Sequence, residues 1–127
     1  MAISKDLILR AARAVAEAEG LHMDANALLE DIVLLAYAFP EEEDFEAACA
    51  NTKRAIALLV DGTVSSSELK YSFSGWRSYH YQHKVGQGFK ATCRIVFRPI
   101  DGGIEVKGFG HRRIPQDFYE RMSAQRG

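Results

Sequence analysis

Apolar residues recur three and four apart through the first sixty positions and in twos after Gly62, and that change of period divides the chain. Leu7, Ile8, Ala11, Ala12 and Val15 make one helical stripe behind Ser4, a suitable N-cap, with Gly20 just past its end. Asp24 caps a second expected helix, whose broad apolar face runs through Leu28, Leu29, Ile32, Val33, Leu35, Ala36 and Phe39 until Pro40 stops it. A third opens on Glu41, Glu42, Glu43 and Asp44, buries Phe45, Ala48, Cys49, Ile56 and Leu59, and ends near Asp61-Gly62. Carboxylates favour the positive end of a helix dipole, so the acidic run has a structural role and is not read as a metal or partner site.

Thr63 to Ser67 reads as a polar linker. From Leu69 the chain alternates, with Leu69, Tyr71 and Phe73 facing one way and Lys70, Ser72 and Ser74 the other. Trp76 to Val85 is a second expected strand. The third sets Phe89, Ala91, Cys93, Ile95 and Phe97 on one face and Lys90, Thr92, Arg94, Val96 and Arg98 on the other. Asp101-Gly102-Gly103 supplies a hairpin turn into a fourth strand over Ile104 to Phe109, and Pro115 opens a short helix through Phe118, Tyr119 and Met122. Helices first and an antiparallel meander second predict an α+β domain. The N-terminal helices pack on one face of a four-stranded, mainly antiparallel sheet, and a short C-terminal helix follows. We read one domain over 1–127, with a helical part at 1–62 and a sheet part at 63–127.

Charge sharpens that division. The chain has 127 residues and a formal net charge of -1, yet residues 1–60 hold 5 basic and 11 acidic side chains and residues 61–127 hold 11 and 6. Indiscriminate nucleic-acid binding by the whole chain is excluded, whereas a basic surface on the sheet half is not. Only Cys49 and Cys93 are present, both among apolar neighbours, so a disulfide scaffold is not expected. The longest apolar run, Ile32 to Phe39, is far too short to span a membrane, and Lys5, Asp6, Arg10 and Arg13 interrupt the N-terminal run. A cytoplasmic location without membrane contact is the expectation.

Lys90, Arg94 and Arg98 should project from the sheet face opposite the helices. If Tyr79, Tyr81 and Val85 take the core side, then Trp76, His80, Gln82 and Lys84 join that basic row; a one-residue slip would bring His83 across instead. His111, Arg112 and Arg113 follow at the end of the fourth strand, and Tyr119 on the last helix. Such a face offers phosphate anchors, proton-transfer groups and stacking surfaces, although a solvated polar face accounts for the same alternation. His80 and His83 stand on opposite sides of a strand, which disfavours a two-histidine metal site.

The stretch Ala91-Thr92-Cys93-Arg94-Ile95-Val96-Phe97-Arg98, then Asp101-Gly102-Gly103-Ile104-Glu105-Val106, Gly110-His111-Arg112 and Phe118-Tyr119 resembles the C-terminal half of RelE/ParE-superfamily toxins of bacterial toxin–antitoxin systems. Leu69-Lys70 through Trp76-Arg77-Ser78-Tyr79 looks like the strand that opens the family's central sheet. The resemblance covers about residues 69–120. Family members usually open with a strand followed by two helices, whereas this sequence opens with helices and shows no such strand.

The resemblance implies a metal-independent mRNA endoribonuclease without a cofactor, usually acting in the ribosomal A site, or alternatively a non-catalytic ParE-like inhibitor of gyrase or an interaction module. It implies a cognate antitoxin and RNA or the ribosome as partners. Arg94 matches the family's phosphate-contacting strand arginine, Arg112 the arginine of its His-Arg motif, and Tyr119 its C-terminal tyrosine. His111, or His80 if it faces the groove, would transfer protons. Lys84, Lys90, Arg98, Arg113 and Trp76 are candidate substrate contacts.

Overall fold

The computed structural model describes residues 3–84, 86, 88 and 90–126. Three helices come early, as the periodicity predicts: α1 over Lys5–Ala16, α2 over Ala25–Ala38 and α3 over Glu42–Asp61. Their N-terminal chemistry is as read from sequence. Ser4 Oγ accepts the Leu7 N–H at 3.1 Å, Asp24 Oδ2 accepts that of Ala27 at 2.9 Å, and α3 begins with Glu42, Glu43 and Asp44 in its first turn.

The sheet is five-stranded and mixed, in the order β1-β5-β4-β3-β2. Its strands are β1 (Leu21–His22), β2 (Ser67–Glu68), β3 (Arg77–Tyr81), β4 (Cys93–Ile100) and β5 (Gly103–His111). The expected four-stranded arrangement is thus corrected by β1, which lies parallel to β5 through Leu21↔Ile104 and His22↔Glu105. Two residues are too few to produce an alternation, so the sequence pattern carried no sign of it.

Three other expectations change. The strand expected over Leu69 to Phe73 is a 3₁₀ turn at Tyr71–Phe73, with Tyr71 at φ 57°, and the pairing segment is Ser67–Glu68 before it. Leu69, Phe73 and Trp76 are drawn instead onto a small apolar cluster around Val96, Phe118 and Met122. The second strand stops at Tyr81, and the third runs from Cys93 to Ile100; the expected places of Val85 and Phe89 lie outside the described residues. The C-terminal helix α4 spans Phe118–Arg126 rather than opening at Pro115, and the Asp117 carboxylate accepts the Glu120 N–H at 3.1 Å.

Both sheet faces are used. Ile32, Leu35, Phe45, Ile56 and other helical residues pack on Tyr81, Cys93, Ile95, Phe97, Ile104, Val106 and Phe109. A buried hydrogen bond of 2.6 Å between Thr52 and Tyr81 hydroxyls ties α3 to β3. The opposite face carries Val96 and receives α4. Pairing shifts by one between Val96↔Gly108 and Phe97↔Val106, leaving Lys107 as the extra residue of a bulge. The bulge resets the alternation, so Val106 and Phe109 both reach the helical core. Gly108 then faces Met122 so closely that a side chain would collide with its sulfur, and Gly110 stands in the same way against Arg121.

Candidate functional site

One end of the sheet, where β3 and β5 finish and β4 starts, gathers Arg94, Arg112 and Arg113. Ladder geometry decides which side chains meet there. The Phe109 N–H goes to Asp31 Oδ2 at 3.0 Å, away from β4, so Ile95 opposite it turns its own backbone groups toward β3. The next pair along, Arg94↔His80, is therefore a non-hydrogen-bonded pair, whose Cα atoms approach to about 4.5 Å and whose side chains lie closest. Both point to the α4 face, as does Val96.

Helix α4 adds Tyr119, whose hydroxyl lies 2.7 Å from Ser78 Oγ on β3. Arg94 is only 9% exposed. Its Nη1 donates to the carbonyls of Ala91 at 2.6 Å and Cys93 at 2.9 Å, which fixes the guanidinium at the start of β4. Burial pulls that guanidinium below its ordinary pKa, with the Tyr119 hydroxyl beside it acting the other way and Arg112 adding to the depression. Arg112 is placed by its backbone, its N–H bonded to Thr92 O at 2.8 Å and its carbonyl accepting the Phe118 N–H at 2.9 Å. The His80 pKa is lowered by burial, then by Arg94 and Arg112, so the ring is neutral at pH 7 and able to accept a proton.

His111 reaches the same end but turns the other way. Paired with Cys93, it faces the helical side, and its ring meets Phe39 edge-on at 5.8 Å. Its Nδ1 accepts the N–H groups of Arg113 at 3.0 Å and Ile114 at 3.1 Å, so the neutral ring carries its proton on Nε2. Burial lowers its pKa, followed by the charges of Arg112, His83, Arg94 and Arg113.

The remaining candidates lie elsewhere. Lys84 is on the helical side, 3.1 Å from Glu43 and 3.8 Å from Asp44, which gives the acidic start of α3 a second role. His83 stacks on Phe39 at 4.3 Å, also on that side. Arg98 is at the far end of β4, bonded to Glu105 at 2.6 Å and lying 4.6 Å over the ring of Trp76, which Lys107 approaches at 4.7 Å. Lys90 and Arg113 are exposed near the site. Among the described residues, Arg94, Arg112 and Arg113 make no salt bridge, whereas Arg77, Arg98, Arg121 and Arg126 all do. Also among the described residues, no group of three His, Cys, Asp or Glu side chains could hold a metal ion.

Sequence reading missed Ser78 and the buried pair Asp31–Arg121. Asp31 did leave a signal: a carboxylate flanked by Leu28, Ile32 and Leu35 on an apolar helical face requires a buried partner.

The geometry defines an α+β domain whose sheet ends in a cluster of arginines that, among the described residues, make no salt bridge, next to a histidine of lowered pKa and a tyrosine. No family model, curated protein or solved structure matches the chain. No helix among the described residues is long and apolar enough to cross a membrane.

Proposed function

We propose that this chain is a RelE-like toxin of a bacterial toxin–antitoxin system that cuts mRNA by a metal-independent 2′-OH attack on the adjacent phosphate. The observation that carries the reading is Arg94: a largely buried guanidinium beside Arg112 and His80 that makes no salt bridge among the described residues. A buried charge without a counter-ion is costly, and a phosphate would supply the missing partner. The order of elements from Leu21 onward adds support: a strand, two helices, four strands paired antiparallel, of which the first has two residues, and a helix, with β1 beside β5. This order is consistent with the strand and helix pair that the resemblance implies, here preceded by α1.

In this reading His80 takes the proton from the 2′-OH as the O2′–P bond forms. The P–O5′ bond breaks and Tyr119 gives its proton to the departing 5′ oxygen, leaving a 2′,3′-cyclic phosphate and a 5′-hydroxyl end. Proton return from His80 to Tyr119 through solvent restores the site. Arg94 and Arg112 hold the phosphoryl oxygens with fixed donors as charge develops. His111 stands behind the site and orients Arg113 through its Nδ1.

The second reading is a non-catalytic binder, either ParE-like or a protein-interaction module. It is favoured by the turn of His111 away from the cluster, which leaves one imidazole on the cationic face. The test is RNA cleavage by purified protein, with and without translating ribosomes. We expect 2′,3′-cyclic phosphate ends, lost by at least a hundredfold in Arg94→Ala and Arg112→Ala. Growth arrest without any RNA cleavage, abolished by the same variants, would support the binder instead.

A further inference from the structure

We infer that the groove between α3 and the open edge of β3 seats one unpaired guanine of the RNA, beside the phosphate that is cut; the inference rests on the ribonuclease reading above. Strand β2 pairs with Arg77 and Ser78, and among the described residues no strand covers the edge of β3 beyond them. Because Arg94↔His80 is a non-hydrogen-bonded pair, the His80 N–H and C=O point outward at that open edge, offering one donor and one acceptor side by side. His80 thus presents its ring to the cationic cluster and its backbone to the groove.

The groove has a volume of about 400 Å³, within the range of small-ligand sites. Asn51, Arg54, Leu58, Tyr79 and Gln82 line it together with His80. The Asn51 amide nitrogen donates to His83 O at 2.8 Å, which leaves its Oδ1 as the acceptor. Arg54 is exposed on α3 and, among the described residues, makes no salt bridge.

This set of groups matches guanine. Arg54 can donate to O6 and N7, while the His80 carbonyl and Asn51 Oδ1 can accept from N1–H and the 2-amino group. Adenine would set its 6-amino donor against the Arg54 donors, and a pyrimidine has no N7 to accept beside its exocyclic group. Unpaired bases in RNA are read in this way, on their exposed edges rather than in a helix groove. Arg54 becomes a specificity-determining residue, and the base lies across the sheet edge from the phosphate held by Arg94 and Arg112.

The test maps cut sites on ribosome-bound and free RNA for the wild-type chain, Arg54→Ala and Arg54→Lys. We expect guanine enriched at one position flanking the wild-type cut, with that preference falling about tenfold or more in Arg54→Ala. In Arg54→Lys, which keeps the charge but not the planar donor fork, KM should recover more than the preference does. Equilibrium binding of short single-stranded oligonucleotides, 2′-deoxy at the scissile position so that they are not cut, should show the same guanine-over-adenine ratio and its loss in Arg54→Ala. Wild-type cutting with no guanine preference, or a preference that Arg54→Ala leaves intact, would overturn this inference and spare the ribonuclease reading. No cutting by the wild-type chain would overturn both.

Discussion

The Asp31 carboxylate on α2 meets the Arg121 guanidinium on α4 at 2.6 Å, and both side chains are essentially sealed from solvent. The two helices lie on opposite faces of the sheet, and the pair closes the edge of β5 between them. Asp31 Oδ2 accepts the Phe109 N–H at 3.0 Å while Arg121 Nη2 donates to Phe109 O at 3.3 Å. Together they take the place of a neighbouring strand where β1 has ended. Arg126 extends the closure, bonding Asp31 at 2.8 Å, Lys107 O at 2.9 Å and Glu30 at 2.7 Å. This network fixes α4, and α4 carries Tyr119 to the candidate site.

Breaking that pair leaves a buried charge and an orphaned strand edge. Asp31→Ala should destabilise the fold by about 3–5 kcal/mol. Chemical denaturation measures the loss, and Arg121→Met in the Asp31→Ala background should recover part of it. Equal stability of Asp31→Ala and wild type would contradict the role assigned to the pair.

Close approach of α4 to β5 depends on the absence of a side chain at Gly108, opposite Met122. We expect Gly108→Ala to cost about 1–3 kcal/mol through overpacking. Adding Met122→Ala should return some of that stability, because the flexible methionine is the group displaced.

Both His80 and His111 have depressed pKa values, by burial first and then by the surrounding cations. The unfolded chain therefore binds more protons than the native chain just below the unperturbed histidine value of about 6.5. Native stability should fall as pH drops from there through the folded-state values, and be flat above. Removing a cation with Arg112→Ala should raise both histidine pKa values, which NMR titration of the ring protons would detect. Unmoved titrations would place Arg112 too far from both rings to act.

Cys49 and Cys93 are buried, and burial pushes each thiol up to about 12. A thiol held so high carries almost no thiolate near neutral pH. Reaction with an aromatic disulfide reagent should be slow in the native protein and fast in denaturant. Rapid labelling without denaturant would reveal an opening that the packed core does not suggest.

Much of this arrangement was legible in the residues themselves. Ser4 and Asp24 mark helix starts, Pro40 and Gly62 mark ends, and the alternation of Cys93, Ile95 and Phe97 against Arg94 sets the faces of β4, because these signals act within a few residues of the chain. His80 and Arg94 fall on one face for the same local reason. Trp76, Lys84 and Arg98 were placed beside them by extending that alternation, and the early end of β3 carries Lys84 to the acidic start of α3 instead.

What the sequence by itself determined is the local periodicity, three helices and then strands, with the excess of positive charge in the half of the chain that holds the main strands. Tertiary structure alone decided the two-residue strand β1, the bulge at Lys107, the burial of Asp31 against Arg121 and the direction of His111. Each of those depends on a partner far along the chain. Asp31 and Arg121 stand ninety positions apart, and nothing in the period of either helix encodes the edge of β5 that brings them together.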